Sequence, residues 1–152
     1  MKILDVLHSD AVLVDLQSKD KKGVIEELAR PVAELADVSH EALVRVLMER
    51  ERLGSTGIGG GIGIPHGKLK DLHELLLGFG LSRRGVAFDS MDGRPTYIFF
   101  LLVTPESSTG DHLKLLARIS RILKDEPFKE RLMAAQTADE VIDAIRVQDD
   151  SF

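Results

Sequence analysis

The chain of 152 residues contains no cysteine. That excludes disulfides, thiolate zinc sites and thiol catalysis. It has no basic excess either: 20 Lys and Arg stand against 25 Asp and Glu, for a net charge of −5. Without surplus cations to neutralise phosphates, nucleic acid is not expected as a partner. Long apolar runs are missing. The longest, Tyr97 to Val103, falls far short of the ~20 residues that span a bilayer. No secretory signal opens the chain, no low-complexity segment interrupts it, and no repeat recurs at solenoid spacing. The expectation is a soluble, cytoplasmic protein with one domain over residues 1–152.

The patterned segments alternate between strand and helix. Ala11–Leu16 reads as a first strand, and Ser18 as the cap of a helix to about Ala36 that Pro31 should kink or restart. Ser39 caps a second helix with Leu43, Val46, Leu47 and Leu53 as its apolar stripe. Short strands are expected at 75–81 and 86–88. The run Thr96–Thr104 has the continuous apolarity of a central strand buried on both faces. Ser108-Thr-Gly-Asp111 resembles a capping box, opening a helix with Leu115, Leu116, Ile119, Ile122 and Leu123 inward. Pro127 lies near the start of a further helix. Thr137-Ala-Asp-Glu140 caps the last one, to about Arg146, with a frayed tail from about residue 147. This order indicates an α/β domain with helices covering a sheet.

The most unusual stretch runs from Gly54 to Lys68. Six glycines precede His66 and Gly67 follows it. Glycines at this density serve tight turns and close approach of another molecule, at an entropic cost that a packed core has no reason to carry. Pro65 fixes its own φ and drives Ile64 to an extended conformation, so the histidine is presented on a defined backbone. The segment is not a P-loop, because Ile62 stands where the first glycine is needed and Leu69 where Ser or Thr should follow Lys68. It is not a dinucleotide fingerprint, and the chain has neither a G-x-S-x-G elbow nor an H-E-x-x-H pair. No cofactor or metal is implied.

A neutral imidazole is itself a nucleophile near pH 7. A phosphoryl group moving to or from it needs in-line positioning and donors for its equatorial oxygens more than covalent help. Backbone N–H groups of the loop can supply donors, and Arg50, at the end of the helix feeding the loop, a planar cationic fork. His112 lies in the first turn of the helix after Ser108, where a helix N-terminus disfavours imidazolium and attracts anions. It is either a satisfied core histidine or a neutral donor to a phosphoryl oxygen. Ser55 and Thr56 are either phosphate-binding supports or residues that cap and turn the loop. His8, His40 and His73 lack any such setting and read as surface.

The segments Arg50-Glu-Arg-Leu-Gly-Ser-Thr-Gly-Ile-Gly59 and Gly61-Ile-Gly-Ile-Pro-His-Gly67, with Asp111-His-Leu113, resemble the signature of the fructose/mannitol-type enzyme IIA domains of the bacterial phosphotransferase system. Within that family the chain is most similar to the free-standing nitrogen-type members. The resemblance covers essentially the whole chain. It implies a mixed sheet of about five strands with helices on both faces. It also implies a phosphorylated His66, with Arg50 and His112 as supports and a phosphorylated HPr-like carrier as donor. Ser55, Thr56 and Gly67 are candidate phosphate-binding supports beside it. Gly60 departs from the family, standing where mannitol-type members carry glutamate and nitrogen-type members often asparagine. Three outputs are compatible with such a site: a regulatory phosphocarrier read by target proteins, a sugar-specific IIA serving a separate IIB permease subunit, or a binding module that keeps only the fold.

Overall fold

The computed structural model describes residues 1–151. Its centre is the strand Thr96–Pro105 (β6), the apolar run expected to be buried on both faces. Ile98, Phe100 and Leu102 enter one core; Phe99, Leu101 and Val103, pointing the other way, enter the second. Beside β6 lies Leu76–Val86 (β5), antiparallel to it. This is one long strand with a register shift after Leu81, where two short strands are expected. Leu7–Leu13 (β1) pairs with β5 in parallel and starts earlier than the expected first strand.

The glycine-rich segment forms three short strands on the other side of β6: Gly57–Gly59 (β2), Ile62–Gly63 (β3) and His66–Leu69 (β4). β3 and β4 pair with β6, and β2 pairs with β3. The main sheet order is β1-β5-β6-β3-β2, with β4 also pairing with β6. The expected mixed sheet therefore forms, with five strands on the main path and β4 as a sixth.

Helices cover both faces. Lys21–Ala36 (α1) and His40–Arg52 (α2) pack over Phe99, Leu101 and Val103. Thr109–Ile122 (α3), Glu126–Ala134 (α4) and Ala138–Asp150 (α5) pack on the opposite side. Asp20 rather than Ser18 caps α1, accepting from the Gly23 N–H at 2.8 Å. The helix continues through Pro31, because buried side chains on both sides of it, Leu28, Ala29, Val32 and Ala33, hold the two halves to the sheet. Ser39 caps α2 as expected. Ser108 precedes α3 but makes no side-chain cap, so the expected capping box is absent there. At α5 Thr137 accepts from the Glu140 N–H, while the Glu140 carboxylate reaches the N–H of Gln136 instead of closing the box.

The C-terminal expectation also needs correction. Helix α5 runs on through residues 147–150 instead of fraying, because Asp149, only 1% exposed, is held by the Arg118 guanidinium at 2.6 Å. Phe152, the end of the expected tail, lies outside the described residues. Among the described residues no helix is long and apolar enough to cross a membrane.

Candidate active site

The glycine-rich segment is built into the sheet rather than looped out from it. Gly59, Gly60 and Gly61 turn the β2–β3 hairpin with φ of 94°, 66° and 81°, a left-handed run that side chains resist. From Ile62 to Leu69 the chain follows β6 in one unchanged register: Ile62 opposite Ile98, Gly63 opposite Phe99, His66 opposite Leu102, Leu69 opposite Pro105. The ladder is broken only at Ile64-Pro65. Proline has no N–H to donate, and the Ile64 N–H turns to the Thr56 carbonyl at 3.0 Å.

That break positions His66. The Ile64 carbonyl lies 2.8 Å from His66 Nδ1. A carbonyl can only accept, so Nδ1 carries the proton and Nε2 carries the lone pair. The ring is half-buried. Burial, above all, holds its pKa below the usual histidine value; the Ile64 carbonyl opposes this, and the Arg50 cation adds to it. His66 is therefore neutral at pH 7.

His112, in the first turn of α3, comes to 5.3 Å from His66 between ring centroids, edge to face. It is 5% exposed, and its Nδ1 shares a hydrogen bond of 2.6 Å with the buried Thr104 hydroxyl at the end of β6. Burial first, then the neighbouring His66 and Lys68, push its pKa down to about 4. Arg50, in the last turn of α2, donates from Nη1 to the Gly54 carbonyl at 2.9 Å, which ties one arm of its guanidinium to the segment. These three residues line one cleft of about 630 Å³ with Gly67, Lys68 and Thr109.

Gly67 has a reason of its own to lack a side chain. A Cβ there would meet Val46 Cγ1 at 2.8 Å, so the glycine lets α2, and Arg50 with it, lie against β4. The hydroxyls of Ser55 and Thr56 do not face the cleft. Ser55 donates to the Phe88 carbonyl at 2.9 Å, and Thr56, 3% exposed, donates to the buried Glu51 carboxylate. Both hydroxyls brace the segment. Gly60 lines a different cavity, beside Lys129, whose ammonium reaches the Gly60 carbonyl at 3.1 Å.

Sequence reasoning missed several residues. Lys68, to which the residue pattern assigns no role, reaches Thr109 Oγ1 at 3.0 Å across the cleft. Its position two residues from His66 on a strand, hence on the same face, was a usable signal. Thr104 stands opposite Lys68 in the ladder, and nothing local marks it. Leu53, expected on the buried stripe of α2, is 85% exposed at the cleft rim together with Leu113, at 60%. His40 is half-buried with Nε2 against the Glu26 carbonyl rather than plain surface, whereas His8 and His73 are exposed as expected.

The depressed His112 pKa has a consequence for stability. The unfolded chain takes up a proton there near the ordinary histidine value of ~6.5, while the fold resists protonation until about pH 4. The stability is fully present above pH 6.5 and falls as the pH drops through this window, by up to ~3 kcal/mol. Denaturant unfolding at pH 7 and pH 4.5 should show a larger loss for the wild type than for His112→Asn. Equal losses would contradict it.

The family described as "Phosphoenolpyruvate-dependent sugar phosphotransferase system, EIIA 2" matches residues 5–147. The "Nitrogen regulatory protein" of Bradyrhizobium diazoefficiens is 42% identical over 138 residues, covering 91% of this chain and 90% of that protein. The "PTS system fructose-specific EIIABC component" of Bacillus subtilis is 33% identical over 150 residues, 98% of this chain but 24% of that longer protein. The crystal structure of nitrogen regulatory protein IIA-Ntr from Neisseria meningitidis superposes with a TM-score of 0.88 at 32% identity, covering 93% of this chain and 97% of that one. A match of this length, on a fold whose sheet holds the paired histidines at one cleft, makes this chain a member of the EIIA 2 family of the phosphoenolpyruvate-dependent sugar phosphotransferase system.

Proposed function

We propose that this protein is a phosphocarrier that accepts a phosphoryl group on Nε2 of His66 from a phosphorylated HPr-like carrier. The observation that carries the reading is the 2.8 Å contact of Nδ1 with the Ile64 carbonyl, which leaves the Nε2 lone pair as the nucleophile. The new N–P bond forms as the donor's bond to phosphorus breaks. The donor keeps the electron pair of its broken bond, and Nδ1 keeps its proton. The positive charge that develops on the imidazole is met by the Ile64 carbonyl. The equatorial oxygens need donors, and Arg50, Lys68 and His112 line the cleft to provide them. In this reading the Thr104 hydroxyl, 2.6 Å from Nδ1 of His112, donates to it, and the ring's proton on Nε2 makes His112 a neutral donor. Transfer is stoichiometric, and turnover requires the partners.

The output is regulatory. This follows the names of the relatives matched along most of both chains, the nitrogen regulatory protein of Bradyrhizobium diazoefficiens and IIA-Ntr of Neisseria meningitidis. Phosphorylation puts negative charge beside the exposed Leu53 and Leu113, and charge in an apolar contact patch repels a partner. Target proteins should therefore distinguish free from phosphorylated His66. The likeness to the fructose-specific EIIABC component supports a second reading, delivery of phosphate to a sugar-specific IIB subunit. A pulldown with His66→Ala and with phosphorylated wild type, alongside transfer to a fructose-type IIB acceptor, separates the two. The regulatory reading predicts state-dependent binding of at least one target. Rapid transfer to IIB with no state-dependent binding would establish the transport reading instead.

A further inference from the structure

We infer that Glu51 is a positioning residue for His66, acting through Thr56 and Ile64 to hold the imidazole in its nucleophilic tautomer; this rests on the phosphocarrier reading. The Glu51 side chain is 2% exposed. One carboxylate oxygen accepts from the Thr56 N–H at 3.0 Å, the other from the Thr56 hydroxyl. The Thr56 carbonyl holds the Ile64 N–H at 3.0 Å, and the Ile64 carbonyl holds His66 Nδ1–H at 2.8 Å. An unbroken series of hydrogen bonds and short backbone steps thus runs from a buried anion to the nitrogen that must stay protonated.

Two features argue that this carboxylate is not there for stability alone. It is the penultimate residue of α2, at the negative end of the helix dipole, where an anion is disfavoured. It is also buried, and a buried ion pair is often no more stable than apolar packing of the same volume. The charge is matched by Lys21 from α1, at 3.1 Å, whose ammonium also lies over the Phe88 ring. Both oxygens of the anion are engaged by the one residue whose carbonyl meets the broken ladder at Ile64. An apolar side chain could fill the space but could not fix Thr56. Arg50, the preceding residue, enters the cleft from the same helix end, so one turn of α2 orients the nucleophile and supplies a cation for the transferring group.

The test uses the full chain as wild type, Glu51→Gln, Thr56→Val and Thr56→Ser. Imidazole ¹⁵N shifts report the His66 tautomer, and phosphoryl uptake from a phosphorylated HPr-like carrier reports the rate. Wild type should be the Nδ1–H form. Glu51→Gln and Thr56→Val should populate the Nε2–H form and slow uptake by ~10–100-fold, the scale seen when a metal-bound histidine loses the partner that fixes its tautomer. Thr56→Ser, which retains the hydroxyl, should recover most of the rate lost in Thr56→Val. A purely electrostatic or structural role for Glu51 would move the His66 pKa or the unfolding midpoint and leave the tautomer unchanged. Folded Glu51→Gln and Thr56→Val with wild-type tautomer and rate would overturn the assignment. If Glu51→Gln does not fold, Thr56→Val decides alone by the same two readouts. A wild type that takes no phosphoryl group would sink the phosphocarrier reading, and the tautomer comparison would still decide the role of Glu51.

Discussion

His66→Ala should reduce phosphoryl uptake from a phosphorylated carrier to background, with the fold intact. His66 is half-buried, and among the described residues its side chain makes one hydrogen bond, to the Ile64 carbonyl, so its loss removes little packing. The alternative acceptor nearest the cleft is His112. It is 5% exposed, and in the proposed transfer its Nε2 carries the ring proton as a donor, so it offers no lone pair to an incoming phosphorus atom. Incubation with the phosphorylated carrier, followed by mass spectrometry under alkaline conditions, in which an N–P bond survives, should find no label in the variant. Label at wild-type stoichiometry would remove His66 from the mechanism.

His112→Ala and Arg50→Ala should each slow uptake by ~10²–10³-fold while leaving it finite, the usual consequence of losing one preorganised donor where charge develops. In the proposed transfer neither residue forms the covalent bond, so both variants should reach full labelling given time. Arg50→Lys is the more informative substitution. It keeps the charge but loses the planar fork, one arm of which is already tied to the Gly54 carbonyl. It should fall nearly as far as Arg50→Ala. Single-turnover rates decide the point. Wild-type rates in the alanine variants would mean that the cleft stabilises the transferring group by other means.

Much of the fold could be read from residue pattern. The run at 96–104 is the central strand because it is apolar on both faces, and only a strand between two layers of helices needs that. The least legible part was the glycine-rich segment. Its glycines announce turns, but nothing local shows that 62–69 adds to the edge of β6, since that pairing joins residues 36 apart in the chain. The C-terminus was misjudged for the same reason. Asp149 looks like part of a solvated acidic tail until Arg118 is brought against it by tertiary packing.

The site divides in the same way. His66, Arg50 and His112 carry chemistry that the residue types advertise, and the fold brings all three to one cleft. Ser55 and Thr56 had the right chemistry for phosphate, yet their hydroxyls are engaged within the segment. Glu51 and Thr104 were invisible because a charge in a helix's last turn and a threonine at a strand's end both have ordinary explanations. Only their burial and their partners distinguish them.

The account stands on which nitrogen of which histidine takes the phosphoryl group. NMR of the ¹⁵N-histidine-labelled wild type, phosphorylated in place by its carrier, measures this directly through ¹⁵N–³¹P coupling. The predicted result is coupling at Nε2 of His66 with Nδ1 still protonated against Ile64. Phosphorus on Nδ1 of His66, or on any other residue, would contradict it.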